Sequence, residues 1–276
     1  MITAKKPPKA EEVWAQRIIA LHLDREVHQH DDNRMDGMYD LRIGHPHAPE
    51  VAIEVTGALN PEWTETWNVG PAKGDFPLPG LTGSWMVSIS PDANVRMLRR
   101  VLPGILAELD QIGLLRVMDV ELLRHGSKDL HRQLQPLGIE HLDRYSDTGP
   151  GRYALTMMGT GGAIDSTGDS IAPWIGDFLR APERSDVLAK LERSGAPLRE
   201  VFVAVTLDGA PWSVVSYLTD VSQTEFTVPS HDPVLPEPVT GVWITSTLSF
   251  GETVGVRWDG AAWSPFRSRG EGIDDE

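Results

Sequence analysis

Two stretches, Met38-Tyr39-Asp40-Leu41-Arg42-Ile43 and Val51-Ala52-Ile53-Glu54-Val55-Thr56, decide how this chain is read. Both alternate with period two, the signature of strands. Gly44-His45-Pro46-His47-Ala48-Pro49 lies between them and reads as a long loop. The two strands are therefore expected to pair as a hairpin. In the second, Val51, Ile53 and Val55 share one face, while Ala52, Glu54 and Thr56 share the other. In the first, Asp40 lies opposite the apolar set Tyr39, Leu41 and Ile43. Pairing brings Asp40 and Glu54 onto one face.

Working outward, residues 11 to about 23 form an amphipathic helix, with Trp14, Ala15, Ile18, Ile19 and Leu21 on one arc. Glu11 and His22 fall within that arc. A third strand is expected at Trp85-Met86-Val87-Ser88-Ile89-Ser90. A helix over residues 94–111 follows, kinked or broken by Pro103, and a second near residues 128–135. Strands are predicted near 139–144 and 152–158, and helix from about 170 to 193, interrupted near Pro182. Further strands are predicted at 200–207, 212–218, 242–248 and 253–258. This gives an α/β fold with a β-rich C-terminal third. The expected organisation is a flexible arm at 1–9, a core over 10–165, an α/β extension packed on it over 166–267, and an acidic tail at 268–276.

The chain has 276 residues and no cysteine, which excludes disulfides, thiolate metal sites and cysteine nucleophiles. It shows no secretory signal and no apolar run long enough to span a bilayer, so a cytoplasmic protein without membrane partners is expected. The formal net charge of −15 repels nucleic acid at long range. Between residues 94 and 132, seven Lys or Arg stand against five Asp or Glu, a locally basic stretch. It reads first as a salt-bridge-laced surface and second as a guide for a phosphate backbone.

Two converging carboxylates can hold a hard divalent cation through oxygen. Asp40 and Glu54 are the candidate ligands, and Glu11 on the preceding helix offers a third acid. The plainer readings stand beside this one. Asp40 can be a strand-edge carboxylate, Glu54 a residue on a solvated face, and Glu11 a helix N-terminal acid favoured by the macrodipole.

The order of helix, acid-bearing strands, helix and strand resembles the PD-(D/E)XK, or restriction-endonuclease-like, superfamily, over roughly residues 10–120. Asp40 matches the family's metal-binding Asp, and Glu54-Val55-Thr56 stands where (D/E)-x-K is found. The resemblance implies a core of helix, three antiparallel strands, helix and strand, with Mg²⁺ or Mn²⁺ on Asp40 and Glu54. It implies hydrolysis of a nucleic-acid phosphodiester by metal-activated water. Thr56 replaces the family lysine and carries no charge. It can position a water or offer its carbonyl to the metal, and Lys73 is the nearest downstream cation. The missing lysine and the acidic charge favour a second expectation, a binding or regulatory protein that kept the fold and lost the chemistry.

Other motifs carry less. His28 and His30 are spaced for a shared zinc on a strand, but Asp32 stands where a further His would be needed. Gly159-Thr160-Gly161-Gly162 lacks the Lys-Ser/Thr of a phosphate loop and reads as a turn. Trp243, Trp258 and Trp263 read as core before they read as a stacking platform for bases.

Overall fold

A computed structural model describes residues 7–31, 37–113, 116–117, 134–157, 166–220, 227–248 and 252–269. In chain order the strands are β1 (His28–Gln29), β2 (Leu41–His45), β3 (Ala48–Ala58), β4 (Asp75–Ile89), β5 (Arg116–Val117), β6 (Ile139–Thr156), β7 (Leu198–Val205), β8 (Gly241–Ser246), β9 (Glu252–Trp258) and β10 (Trp263–Arg269). The helices are α1 (Ala10–Leu23), α2 (Pro61–Val69), α3 (Val95–Gln111), α4 (Ile171–Arg180), α5 (Ser185–Arg193) and α6 (Trp212–Thr219). The class is mixed α/β. No described helix is long and apolar enough to cross a membrane.

The chain divides into two compact units. One is discontinuous, residues 1–59 with 162–276; the other is the segment between, 60–161. The boundaries between them fall at 59/60 and 161/162.

The discontinuous unit is built on a seven-stranded mixed sheet of order β1-β2-β3-β7-β8-β9-β10. β3, β7 and β8 run parallel to one another and the remaining pairs are antiparallel. β7 and β8 are buried along nearly their whole length, as parallel strands covered on both faces must be. One face packs Leu41, Ile43, Val51, Ile53, Phe202 and Trp243 under Trp14, Ile18 and Ile19 of α1. The other packs Ala52, Val201, Val203 and Ile244 against Ile175 and Leu179 of α4, Val187 and Leu191 of α5, and Val215 and Leu218 of α6. β7 to β10 therefore complete the sheet that β1 to β3 begin, where an appended extension was expected. The free edge of β3 requires a partner, and β7 supplies it.

Several local expectations are corrected. The hairpin loop is short: His45 pairs with Ala48, leaving Pro46-His47 as the turn, with a register irregularity after Ile43. Gly44 takes φ +92°, which a β-carbon would strain. The strand containing Trp85 does not join the hairpin. It is the end of β4, which pairs with β6 in a separate three-stranded sheet of order β4-β6-β5. The third antiparallel member beside β2 and β3 is the two-residue β1. The strand expected at 212–218 is helix α6. Pro211 supplies the extended N-cap, and its carbonyl accepts from Val214 (2.9 Å) and Val215 (3.1 Å). Helix α3 runs unbroken through Pro103. The helix expected near 128–135 and the Gly159–Gly162 turn fall on or beyond the limits of the described residues.

The 60–161 unit has its own core, with Trp85, Val87, Leu98, Leu102, Leu142 and Tyr153 among its buried members.

Candidate functional site

The pairing Leu41 with Ile53 places Asp40 directly opposite Glu54 at the end of the β2–β3 ladder. Both carboxyl residues are only 3 % exposed. The Val55 backbone N–H donates to Asp40 Oδ2 at 2.7 Å, which fixes that carboxyl against the neighbouring strand. Glu54 Oε1 accepts from Lys190 Nζ at 2.5 Å. Glu54 Oε2 is buried with no hydrogen-bond partner. A buried carboxylate oxygen with nothing donating to it is rare and uncomfortable.

Lys190 reaches the site from α5. Val187 and Leu191 of that helix enter the core, and Lys190 lies one turn from Val187 on the same side. Arg184, at the end of the 3₁₀ turn Pro182–Arg184, donates to Thr56 Oγ1 (3.1 Å) and to the Gly57 carbonyl (3.0 Å). Thr56 is 9 % exposed and shares the strand face of Glu54.

Burial pushes the Asp40 carboxyl up to about 6, helped by the nearby Glu12 and opposed by the Val55 N–H, Lys190 and Lys9. Burial pushes Glu54 up further, to about 8; the Asp40 charge adds to this and Lys190 opposes it. Burial also works against the Lys190 ammonium, but the bond to Glu54 and the field of Asp40 outweigh it, and its pKa is raised. The two acids and the lysine form one coupled group, in which two carboxyls compete for one ammonium and retain a proton near neutrality.

The acid of α1 that acts on this group is Glu12. It is buried, accepts from the Lys9 backbone N–H (3.2 Å), and pairs with Lys9 Nζ (3.1 Å). Glu11 and Leu21, expected on the buried arc, are exposed. Glu12 is the third residue of the helix and folds back to close the first turn, which draws its side chain inward. Lys73 lies in the 3₁₀ turn Pro71–Lys73 of the 60–161 unit, whereas the acids belong to the seven-stranded sheet. Among the described residues, no group of three or more His, Cys, Asp or Glu is arranged to hold a metal ion. His30 stacks on Tyr39 at 4.0 Å, and His28 faces Glu26 at 3.6 Å. Trp243 and Trp258 are core residues, as expected.

Two hollows adjoin these residues. One of about 210 Å³, beyond the carboxyl ends of β3, β7 and β8, is bordered by Lys9, Glu12, Thr56, Thr206 and Thr247. The other, of about 220 Å³, is bordered by His30, Tyr39, Lys190 and Arg193.

Lys190 and Arg184 are the members that reading the hairpin alone misses. The signal for Lys190 was present: a lysine between Val187 and Leu191, on the inward stripe of an amphipathic helix, is out of place unless an acid meets it. Comparison with known protein families, with curated proteins and with solved structures finds no match to this chain.

Proposed function

We propose that this chain is a metal-dependent phosphodiesterase acting on nucleic acid in the cytoplasm, built on a restriction-endonuclease-like core. The observation that carries the reading is the pair of buried, cross-strand carboxylates with a lysine at 2.5 Å and one carboxylate oxygen left without a donor. Two raised carboxyls and an orphaned oxygen suit a hard divalent cation, Mg²⁺ or Mn²⁺. When bound, such an ion supplies an acidified water and charge neutralisation at phosphorus. Support for the core comes from the order α1, the antiparallel β1-β2-β3, then, after residues 60–161, α4, α5 and the parallel β7.

Within this reading the chain's own groups have distinct tasks. Asp40 and Glu54 hold the ion. Lys190 pairs with Glu54 and keeps it oriented. Glu12 adds negative field beside Asp40 through space. Lys190, which touches Glu54, is the cation of the acid pair in this reading.

One observation favours a second reading. Lys190 already occupies one oxygen of Glu54, so the ammonium can serve as a built-in substitute for the ion in a binding protein without hydrolytic activity. Calorimetric titration of Mn²⁺ separates the two. The wild type is expected to bind one equivalent, more tightly at pH 8 than at pH 6, as the acids give up their proton. Asp40→Ala/Glu54→Ala is expected to bind none, and nuclease assays on DNA and RNA follow. Absence of binding by the wild type, with and without an oligonucleotide, leaves the binding-protein reading in place of the enzyme.

A further inference from the structure

Three half-buried cations are matched to acids, Lys190 to Glu54, Arg257 to Glu200 and Arg144 to Asp110. Arg184, like Arg42 and Arg199, has no carboxylate in contact among the described residues, but it alone of these three is seated on the strand face that carries Glu54. Its two bonded partners, Thr56 Oγ1 and the Gly57 carbonyl, are neutral oxygens. Its third support is the face of Phe178, 4.4 Å below the guanidinium. Among the described residues no carboxylate lies within ion-pair distance of it; burial lowers its pKa, and Asp186 and Glu183 oppose that only through space. The guanidinium is thus held rigidly by hydrogen bonds and a ring, with its charge uncompensated by contact. It is seated on the residue two places along the strand from Glu54. Three of its five N–H groups remain for another acceptor, and the planar fork matches two oxygens of a phosphate.

We infer that Arg184, docked on Thr56, is the phosphoryl-oxygen subsite of the acid centre. It engages the non-bridging oxygens of the phosphodiester presented to Asp40 and Glu54. The inference rests on the phosphodiesterase reading and deepens it. Thr56 then has a defined task at the position where a lysine was expected: it is the seat of a cation supplied by another element. Lys190 is committed to Glu54, which leaves the substrate's charge to Arg184. Arg184 touches the substrate and is in this reading a catalytic residue.

The test compares wild type, Arg184→Gln and Arg184→Lys in the full chain. Mn²⁺ affinity is measured by calorimetry. Binding of a fluorescein-labelled 12-nucleotide strand and its duplex is measured with Ca²⁺ by anisotropy, and single-turnover cleavage is measured with Mn²⁺. Arg184→Gln is expected to keep Mn²⁺ affinity within about twofold, to bind the oligonucleotide about tenfold more weakly, and to cleave about 10²-fold more slowly. Arg184→Lys is expected to recover about tenfold of the lost rate. Cleavage by Arg184→Gln within threefold of wild type overturns the subsite alone. So does a loss of Mn²⁺ binding and thermal stability in Arg184→Gln that Arg184→Lys does not repair, since that is the mark of a structural clasp. A wild type that neither binds Mn²⁺ nor cleaves overturns the phosphodiesterase reading, and the subsite with it.

Discussion

At the scale of single residues, the acid pair is a built-in instability. Asp40 is raised from 3.8 to about 6, mainly by burial, and Glu54 from 4.5 to about 8. For each acid the folded state holds the proton more tightly than the unfolded state does. The stability this contributes is complete below the unfolded pKa and is lost as pH rises through the folded one. Without divalent cations the protein is therefore expected to lose stability steadily between about pH 4 and pH 8. Asp40→Asn keeps an oxygen for the Val55 N–H and leaves Glu54 and Lys190 as a matched pair. At pH 8 it is expected to be more stable than wild type by ~1–3 kcal/mol, at about 1.4 kcal/mol per pKa unit, while losing Mn²⁺ binding. Thermal unfolding at pH 5 and pH 8 checks this, and equal pH dependence in the two proteins would refute it. Asp40 and Glu54 were legible in the sequence because alternation and a hairpin are local properties. Lys190 shows only as a lysine out of place on an apolar helix stripe, and Arg184 not at all, because both meet β3 through tertiary packing across a long stretch of chain.

Elements show the same division between local and distant information. The β2–β3 hairpin could be read directly, whereas the neighbour of β3 could not. Nothing in Val51-Ala52-Ile53-Glu54-Val55-Thr56 specifies whether Trp85-Met86-Val87 or Phe202-Val203-Ala204 will pair with it. Helix α6 was misread because Trp212, Val214, Val215 and Tyr217 favour strands on propensity, and burial on nearly all sides removes the helical polar face that would have revealed it. β7, β8 and β9 are further tied by one buried polar group. Glu200 accepts from Arg257 at 2.7 Å and from the Trp243 indole N–H at 2.5 Å, and Arg257 lies 4.6 Å over the Trp243 ring. Glu200→Ala strands both donors and is expected to destabilise the sheet by ~3–5 kcal/mol. Replacing Glu200 and Arg257 together by Leu and Met should recover most of that. Urea unfolding of the single and double variants measures the difference. A single variant within ~1 kcal/mol of wild type would show that the group is solvated.

For the whole molecule, the 60–161 unit interrupts the other in sequence while keeping a separate hydrophobic core. None of its core residues belongs to the two clusters that flank the seven-stranded sheet. A chain in which residue 59 is joined to residue 162 through a short Gly-Ser linker is therefore expected to unfold cooperatively and to retain Mn²⁺ binding. Circular dichroism melting and calorimetry test this, and a chain with no cooperative transition would show that the two cores depend on each other. The interruption also orders events during synthesis. β3 leaves the ribosome carrying Val, Ala and Ile on both faces, and its partner β7 begins only at Leu198. At 5–20 residues per second that strand edge stays open for on the order of 10 s. Glu54, in the middle of it, places a carboxylate where any other nascent strand would have to bury it. A charge in the middle of an open strand edge is a placement that disfavours pairing with the wrong neighbour.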